Sequence, residues 1–416
     1  MISTMIRLLI LSILVHLAAG PTVARTLHVG ADQAHATIHS ALEAARSGDR
    51  IIVHPGLYRE CPVVINKSIV LSGYGMPVLD ALGEREGIVI EADSVTVEGF
   101  EIRNTGYSYI EDRAGIRVKR NKAFTIRNNR LTLTFFGVYL EHAQSGVIRN
   151  NAIMGQPLGE ANSGNGIHLW YCSDVDIERN LIHGHRDGIY FEFATESRIR
   201  DNVSEGNLRY GLHFMFSNDD IYTGNTFRDN GAGVAVMFSR RIHMLRNLFH
   251  LNWGQAAYGL LLKEIYDAEI RDNIFRKNTI GIFTEGSNRI HYEDNDFLNN
   301  GWAVKVAGGC EKNNFIRNNF IGNSFDFAAI GNMSTNRIEQ NFWGDYSGFD
   351  LDRNGIGDVP YRPIKLFNYV VDQTPETIIL MRSLLVEILN FSEKVSPVLT
   401  PAEVSDAMPA MHRLTR

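Results

Sequence analysis

Ile177-Glu-Arg-Asn180-Leu-Ile182 is one copy of a six-residue motif, aliphatic-x-x-Asn-x-aliphatic, that recurs along the middle of the chain. Consecutive motif asparagines are separated by 22, 29, 22, 23, 22, 26, 22, 24 and 22 residues. A repeat this regular indicates one structural unit per copy, and about 22 residues is too short for a pair of helices. The motif asparagines are Asn129, Asn151, Asn180, Asn202, Asn225, Asn247, Asn273, Asn295, Asn319 and Asn341.

A second motif, a glycine followed by alternating apolar residues, runs in phase with the first. Because side chains alternate along a strand, the first and third residues after each glycine face inward and the second and fourth face outward. Three short strands and their corners fit into one repeat. We therefore predict an all-β fold, a right-handed parallel β-helix with about 22 residues per coil and a ladder of stacked asparagines. The glycines are Gly115, Gly137, Gly166, Gly188, Gly211, Gly233, Gly259 and Gly281.

The segments outside the repeat complete the predicted domain organisation. Residues 1–24 have the layout of a secretory signal peptide, with Arg7 before a short apolar run and small residues before the cleavage point. Residues 25–345 form the predicted β-helix with an N-terminal cap. Residues 346–374 are a turn-rich end segment, and residues 375–416 are a C-terminal helix and tail, with helical spacing over residues 377–395.

Composition limits the classes of function. The chain has 416 residues, of which 44% are hydrophobic, so it can bury a large core. Its formal net charge of −6 provides no net basic field, so we expect no nucleic-acid partner. The three cysteines, Cys61, Cys172 and Cys310, lie far apart in coil order, so we expect no intramolecular disulfide.

The outward positions after the glycines bring soft metal ligands together. Thioether and imidazole groups suit Cu(I), so we predict that His213, Met215 and Met237 bind copper and that His168 is a further candidate. The alternative is that the two methionines only fill a hollow in the surface. Residues 104–114, 155–165 and 250–257 are insertions predicted to overhang this face. Cys172, close to the same face, is either a thiolate ligand or an inert, half-buried thiol. The fourth-position column is Glu141, Trp170, Glu192, Met215 and Met237, and the second-position column is Tyr139, His168, Tyr190, His213 and Ala235.

A second candidate site follows the last repeat. Asp350, Asp352, Asn354 and Asp358 space oxygen ligands around Gly355, which resembles half of a calcium loop. The bidentate glutamate expected at the twelfth position is missing. The segment is therefore interpreted either as a calcium site or as a cluster of Asx turns that ends the rod.

Catalysis on carbohydrate is the alternative class of function. Glu141 and Glu192 are two coils apart in one column, roughly 9–10 Å, which is near the carboxylate separation of an inverting glycosidase. Trp170 lies between them, and the face offers no second acid–base pair. We therefore predict no catalytic residue and no enzyme activity, with a polysaccharide lyase or epimerase, or a passive scaffold, as the alternatives.

Three longer stretches carry a specific resemblance to a known family. The chain closely resembles the NosD family, the exported β-helix component of the nitrous oxide reductase maturation apparatus, over essentially the whole mature chain. The stretches are Glu205-Gly-Asn-Leu-Arg-Tyr-Gly-Leu-His-Phe-Met-Phe-Ser-Asn-Asp219, Tyr258-Gly-Leu-Leu-Leu-Lys-Glu264 and Gly355-Ile-Gly-Asp-Val-Pro-Tyr-Arg-Pro363.

The resemblance implies a periplasmic protein that works with an ABC-type ATPase, a membrane permease and a copper-carrying lipoprotein to supply copper to nitrous oxide reductase. Residue by residue, it implies copper handling by His213 and Met215, whereas Met237 enters only through its column position. It also implies that the C-terminal helix and tail reach the permease, so that the protein meets the membrane only through partners. We assign partner contacts to Trp170, Tyr190 and Glu192 on the outer face and to Leu384, Leu385 and Ile388 on the helix.

Overall fold

The computed structural model describes residues 24–108, 110–156, 159–254, 257–381, 383–395 and 404–415. The predicted signal peptide lies outside these residues except for Ala24, and part of the predicted tail, residues 396–403, also lies outside them. The repeat region winds into a parallel β-helix in which each coil adds one strand to each of three parallel sheets. The predicted β-helix is confirmed.

The three sheets are numbered in the order in which the chain passes through them within one coil, and their strand counts refer to the described residues. Sheet 1 has fourteen strands: Thr26–Val29, Arg50–Val53, Val70–Gly73, Thr96–Glu98, Thr125–Arg127, Gln144–Arg149, Ser173–Glu178, Arg198–Arg200, Ile221–Thr223, His243–Leu245, Glu269–Arg271, His291–Glu293, Asn314–Ile316 and Arg337–Glu339. Sheet 2 has thirteen: Leu57–Tyr58, Val78–Asp80, Glu101–Arg103, Arg130–Thr132, Ala152–Met154, Leu181–His183, Val203–Glu205, Thr226–Arg228, Leu248–His250, Ile274–Arg276, Asp296–Leu298, Asn319–Ile321 and Phe342–Trp343. Sheet 3, which carries the glycine strands, has twelve: Val63–Ile65, Ile88–Ile90, Ala114–Lys119, Phe136–Glu141, Ile167–Trp170, Asp187–Glu192, Tyr210–Met215, Ala232–Met237, Tyr258–Lys263, Ile280–Glu285, Trp302–Val306 and Phe325–Ala329.

Short helices lie at both ends of the rod. Helix α1, Ile38–Ala44, begins after Thr37, whose hydroxyl accepts a hydrogen bond from the Ser40 amide at 3.1 Å. At the other end are α2, Leu366–Gln373, a 3₁₀ helix, Pro375–Leu380, and α3, Leu384–Val395. A further 3₁₀ turn, Glu160–Asn162, lies in the loop before one sheet 3 strand. Among the described residues, no helix combines the length and apolarity that crossing a membrane requires.

The glycine column exists because neighbouring coils approach closely at the start of sheet 3. A Cβ atom on Gly188 would lie 2.6 Å from the Gly211 carbonyl oxygen and 2.0 Å from Ser204 Oγ. A Cβ atom on Gly166 would lie 2.5 Å from the Gly188 carbonyl oxygen. Both distances to backbone are far below van der Waals contact, so the glycine motif is a packing requirement repeated in each coil.

The predicted asparagine ladder runs along the corner between sheets 1 and 2. Asn151 donates from both its backbone N–H and its side-chain Nδ2 to Asn180 Oδ1, each at 3.0 Å. The same Nδ2 donates backwards to the Ile126 carbonyl at 3.0 Å. Each buried amide is thus satisfied by the coils on either side of it, as a buried polar group requires.

One predicted member of the ladder is wrong. The ladder residue after Asn295 is Asn318, not Asn319, because Asn295 Nδ2 donates to Asn318 Oδ1 at 3.0 Å. Ile316 and Ile321 match the aliphatic positions of the motif around Asn319. Phe315 fills the core instead and is 1% exposed. Asn319 begins the next sheet 2 strand.

The C-terminal end of this ladder is closed by a residue far along the chain. Asp406 Oδ2 accepts hydrogen bonds from the Asn341 amide and from Trp343 Nε1, both at 3.0 Å. Asp406 Oδ1 accepts from the Gln340 amide at 3.1 Å. Asp406 therefore takes the place that the next asparagine would occupy, and residues 404–415 return to the last coil of the rod.

A second asparagine ladder, which the sequence motif did not reveal, runs along the corner between sheets 2 and 3. His185 precedes the first asparagine of this ladder and occupies the equivalent position one coil earlier. Its backbone amide donates to Asn207 Oδ1 at 3.1 Å. Next to His185 lies a cavity of about 100 Å³ lined by Thr134, Ser163 and Asn162, among others. The ladder consists of Asn207, Asn230, Asn252, Asn278, Asn300 and Asn323.

Candidate metal-binding face

The register of sheet 3 brings the predicted copper ligands onto neighbouring strands. His213 is paired with Ala235, and Met215 is paired with Met237. On the other side of the Tyr210–Met215 strand, His213 is paired with Tyr190, which is paired in turn with His168. The two methionines therefore lie side by side, and the two histidines are separated by one tyrosine.

The histidines face outward but are covered, which the sequence did not predict. His213 is 6% exposed, and His168 is 8% exposed. The rings of Tyr190 and Tyr210 each lie 4.8 Å from the His213 ring, measured between centroids. Because large side chains flank it on the same outer face, the imidazole is shielded from water.

An ion pair of the buried Asp187 with Arg209 lies beside His213. Asp187, which is 0% exposed, accepts hydrogen bonds from Arg209 Nε at 2.9 Å and from Arg209 Nη2 at 2.6 Å. Its Oδ2 lies 3.7 Å from His213 Nδ1. Burial by itself raises the pKa of Asp187, but the interactions with His213 and Arg209 outweigh it and hold the pKa below its ordinary value. Arg209 Nη2 lies 3.5 Å from the same Nδ1, so this side of the ring faces the Asp187–Arg209 pair, while Nε2 makes no hydrogen bond to the described residues.

The second ring nitrogen of each histidine is unpaired within the described part of the chain. His213 Nε2 and His168 Nε2 are buried and make no hydrogen bond to the described residues. His168 Nδ1 lies 3.1 Å from Asn165 Nδ2. Burial lowers the pKa of His168 to about 3, so the ring is neutral at pH 7. A neutral imidazole is the form that coordinates a metal ion.

The methionines lie at the carboxyl ends of their strands and are half-buried. The Tyr190 hydroxyl donates to Met215 Sδ at 3.8 Å, which links the histidine column to the methionine column. Within the described part of the chain, no three His, Cys, Asp or Glu side chains converge as a metal site. The soft donors on this face are therefore two thioethers with one imidazole two residues away.

Cys172 does not supply a thiolate to this face. Its side chain is buried, and burial raises its pKa to about 12, so the group is a neutral thiol at pH 7. Its Sγ lies 3.4 Å from the Trp170 carbonyl oxygen. Cys61, Cys172 and Cys310 are all free and buried.

An aromatic ladder borders the methionines at the corner between sheets 3 and 1. We use this name for Tyr171, Phe193, Phe216 and Phe238, which stack with ring centroids 4.5, 5.2 and 5.1 Å apart. All four have a left-handed backbone, with φ between 50° and 55°. That conformation costs a non-glycine residue about 1–2 kcal/mol, while a stacked pair contributes about 0.5–1.5 kcal/mol. Stacking therefore offsets the backbone cost only in part.

The candidate calcium residues form a hydrogen-bonded turn. Asp350 Oδ2 accepts from the Gly355 amide at 2.8 Å, and Asp352 Oδ1 accepts from the Asn354 amide at 3.2 Å. Asp358 Oδ2 accepts from the Leu351 amide at 2.7 Å. These are the contacts of the Asx-turn interpretation, and they occupy oxygens that a calcium ion would also need.

The carboxylates considered for catalysis lie in the predicted register. Glu141 is paired with Trp170, which is paired with Glu192. Both carboxylates are partly exposed, and the indole lies between them in the column. Glu141 Oε1 lies 3.8 Å from Arg120 Nε.

Sequence reasoning missed the residues that support the site. Asp187 and Arg209 bind each other across neighbouring coils, and the aromatic ladder follows directly after the fourth-position column. One feature of the sequence could have identified Asp187 as a functional residue. It is a carboxylate directly before a repeat glycine, whereas Asn165 and Tyr210 occupy this position in the neighbouring copies.

Comparison with known proteins gives two family matches. Residues 154–348 match the family described as periplasmic copper-binding protein (NosD). Residues 86–221 match the right-handed beta helix region. The handedness predicted from the sequence agrees with the second match.

Two curated relatives align over most of the chain. A probable ABC transporter binding protein NosD from Pseudomonas aeruginosa is 29% identical, with 94% of this chain and 95% of the relative covered. A protein with the same description from Stutzerimonas stutzeri is 27% identical, with 80% of each chain covered. Both relatives are named as binding proteins.

Solved structures share the fold at low sequence identity. The A-module of the mannuronan C-5 epimerase AlgE4 from Azotobacter vinelandii has a TM-score of 0.60 at 14% identity and covers 73% of this chain and 94% of its own. A lacto-N-biosidase from Eubacterium ramulus has a TM-score of 0.55 at 13% identity and covers 76% of this chain and 67% of its own. At such identities the likeness shows the β-helix architecture alone.

Proposed function

This chain belongs to the NosD family, and we propose that it is a periplasmic, non-enzymatic protein that handles copper for nitrous oxide reductase. In this role the copper ion is cargo, received and passed on during assembly of the metal centres. The family description as a periplasmic copper-binding protein supports the location and the metal. The relatives named as ABC transporter binding proteins support an ABC-type ATPase and permease as partners.

The observation that carries the proposal is the pairing of Met215 with Met237 next to His213. Two thioethers on adjacent strands form a soft donor pair, and soft donors select Cu(I) over the hard ions. The Asp187–Arg209 pair lies against Nδ1 of the His213 ring, and Nε2 is left without a hydrogen bond to the described residues. His168 is neutral and has an unpartnered Nε2, so it is the further candidate ligand on the same face.

A transfer role fits the small number of ligands. Cu(I) held by two sulfurs and one nitrogen is shared easily with a protein that offers another soft ligand. The copper-carrying lipoprotein is the proposed donor, and nitrous oxide reductase is the proposed recipient. Trp170, Tyr190 and Glu192 lie in the two coils that precede Met215 on the same face and are the proposed contacts for these partners.

The C-terminal helix α3 is the proposed contact with the permease. Leu384, Leu385 and Ile388 are exposed apolar side chains on this helix. An apolar helix face in contact with water is usually buried against a partner in the assembled state. The protein would then associate with the membrane through its partners.

The alternative functions have less support. The β-helix enzymes among the structural neighbours share the fold only, and Trp170 lies between Glu141 and Glu192. A calcium role for Asp350, Asp352, Asn354 and Asp358 remains a prediction, since the turn already uses their oxygens to accept backbone N–H groups.

The experiment is an anaerobic Cu(I) titration of the purified mature protein against a chromogenic chelator. We expect binding of Cu(I) by the wild type and a loss of at least tenfold in affinity in the Met215→Leu/Met237→Leu variant. Met154→Leu changes a surface methionine on sheet 2 and is the matched control. Reductase maturation in cells that contain the double variant separates this role from that of a passive scaffold, for which maturation would stay at the wild-type level.

A further inference from the structure

The aromatic ladder occupies a position where the backbone does not favour aromatic residues. Tyr171, Phe193, Phe216 and Phe238 have positive φ, a conformation in which bulky side chains are uncommon. The corner itself accepts other residues, because the equivalent positions are Arg120, two coils before Tyr171, with φ 55°, and Glu264, in the coil after Phe238, with φ 53°. His142, with φ 50°, holds this position in the coil before Tyr171 and stacks on it at 5.2 Å, so ring side chains are confined to five successive coils of this corner, the last four of which form the aromatic ladder.

The four coils of the aromatic ladder carry the candidate donor pair and its neighbours. Phe216 directly follows Met215, Phe238 directly follows Met237, and Tyr171 directly follows Trp170. The ladder and the methionines form a continuous strip of apolar surface about 15–20 Å long at the coil spacing. Aromatic and methionine side chains are the types enriched in the cores of protein interfaces.

The rings present their edges to solvent. Their planes are within 8° to 14° of parallel, so the ring faces cover one another. Tyr171 is 46% exposed, and Phe216 is 39% exposed. A sugar ring binds by stacking on an aromatic face, and these faces are covered by the neighbouring rings. The exposed ring edges therefore favour a protein as the binding partner over a glycan.

Access to the methionines is easier from the ladder than from the opposite side. At the start of the sheet 3 strands, Arg209 and Tyr210 cover His213. The two loops on that side are tied together by the hydrogen bond from the Tyr107 hydroxyl to Asn162 Oδ1 at 2.9 Å. At the end of the strands, the half-buried thioethers adjoin the exposed rings.

We propose that the aromatic ladder is the docking surface for a protein that carries Cu(I) through its own soft ligands. The inference rests on the proposed function and adds where the donor binds. The described residues offer the ion two thioethers and one imidazole. A donor protein that approaches over the ladder would bring a further soft ligand to Met215 and Met237 while its apolar surface covers the rings.

The test uses the mature protein and the Cu(I)-loaded soluble domain of the copper-carrying lipoprotein. In the Phe193→Asn/Phe216→Asn variant, asparagine tolerates the left-handed backbone, so the corner is kept while the rings are removed. Leu133→Asn is the matched control, because Leu133 is also exposed and has φ 53° at another corner. We expect the rate of copper transfer from the lipoprotein domain to fall at least tenfold in the ladder variant and to stay at the wild-type value in the control.

Two further measurements separate this inference from the proposed function. Loading from a Cu(I)–chelator complex needs no docking, so the ladder variant should load as the wild type does. If the wild type takes no Cu(I) from the chelator while the ladder variant still weakens association of the metal-free proteins, the proposed function is wrong and the docking surface stands. If the ladder variant receives copper from the lipoprotein domain at the wild-type rate, the aromatic ladder is not the docking surface for the donor. The same conclusion follows if the ladder residues are needed only for this chain to form a dimer and the transfer rate is unchanged.

Discussion

His213 Nδ1 lies 3.7 Å from Oδ2 of Asp187, a carboxylate that is fully buried and paired with Arg209. The two residues lie on neighbouring strands of sheet 3, in the part of the rod that carries Met215 and Met237. A buried carboxylate is stable only when it is paired, and loss of its partner leaves an uncompensated buried charge. The Asp187–Arg209 pair therefore borders the imidazole nearest to the thioether pair and places a charge beside its Nδ1.

The substitution Asp187→Asn is expected to lower Cu(I) affinity about tenfold to hundredfold, the usual effect of removing a partner of a metal-binding histidine. The amide keeps the size of the side chain but removes the charge beside His213 Nδ1. Competitive Cu(I) titration measures the effect, and thermal unfolding checks that Arg209 without its partner leaves the fold intact. Asp219→Asn, which changes a surface carboxylate paired with Arg241, is the control. Wild-type affinity in Asp187→Asn would remove the carboxylate from the site.

Acidification is expected to destabilise the protein through two buried histidines. Burial lowers the pKa of His168 to about 3 and that of His185 to about 4, whereas an unfolded histidine has a pKa near 6.5. The unfolded chain therefore binds more protons below pH 6.5. This contribution to stability is complete above pH 6.5 and is lost as the pH falls towards 4, at about 1.4 kcal/mol per pH unit for each histidine.

His185→Asn tests this pH dependence. Asparagine at this position continues the second ladder, because the His185 amide already donates to Asn207 Oδ1. Between pH 7.5 and pH 5.0, we expect the free energy of unfolding to fall by about 2 kcal/mol less in the variant than in the wild type. Chemical denaturation at the two pH values measures the difference. Equal losses in both proteins would show that His185 is not buried as a neutral group.

Gly188→Ala is expected to destabilise the rod by about 1–3 kcal/mol, the usual cost of forcing extra volume into packed structure. The new methyl group would lie 2.6 Å from the Gly211 carbonyl oxygen, which belongs to the neighbouring strand and cannot move alone. Gly308→Ala is the control, because a Cβ atom there has nothing within 4 Å. Thermal unfolding compares the two variants, and an unchanged midpoint in Gly188→Ala would contradict the close approach of the coils.

Asp406→Ala is expected to open the C-terminal end of the rod. The change leaves the Asn341 amide and Trp343 Nε1 without an acceptor, at a cost of about 1–3 kcal/mol for each buried donor left unpaired. Hydrogen exchange should accelerate at Asn341 and Trp343 and remain slow at Asn225, in the middle of the ladder. Asp406→Asn retains one carbonyl oxygen and should show an intermediate effect. Unchanged exchange in Asp406→Ala would mean that the C-terminal residues do not close the ladder.

The repeat spacing predicted most of the fold because each coil repeats the same packing requirement. The register of Met215 beside Met237 follows directly from the phase of the glycines. Repeat spacing was not sufficient at one position, where the ladder residue is Asn318 and not the predicted Asn319. Asn319 has the aliphatic residues Ile316 and Ile321 at the motif positions, whereas Asn318 has Phe315 and Phe320 there. The packing of Phe315 and Phe320 in the core makes Asn318 the ladder residue.

Features formed between distant segments could not be predicted in the same way. Asp406 closes a ladder whose last asparagine, Asn341, is 65 residues earlier, and no local pattern connects the two. The burial of His213 depends on Arg209 and Tyr210, which fold back over the outer face from the preceding corner. Outward orientation follows from strand alternation, whereas exposure depends on what covers the face.

X-ray absorption spectroscopy of the protein loaded anaerobically with one equivalent of Cu(I) is the most direct test of copper handling on this face. We expect the wild-type spectrum to show a coordination shell that contains both sulfur and imidazole nitrogen. We expect the sulfur contribution to disappear in the Met215→Leu/Met237→Leu variant and the nitrogen contribution to weaken in His213→Ala. A wild-type spectrum without sulfur, or one that neither substitution changes, would contradict copper handling on this face.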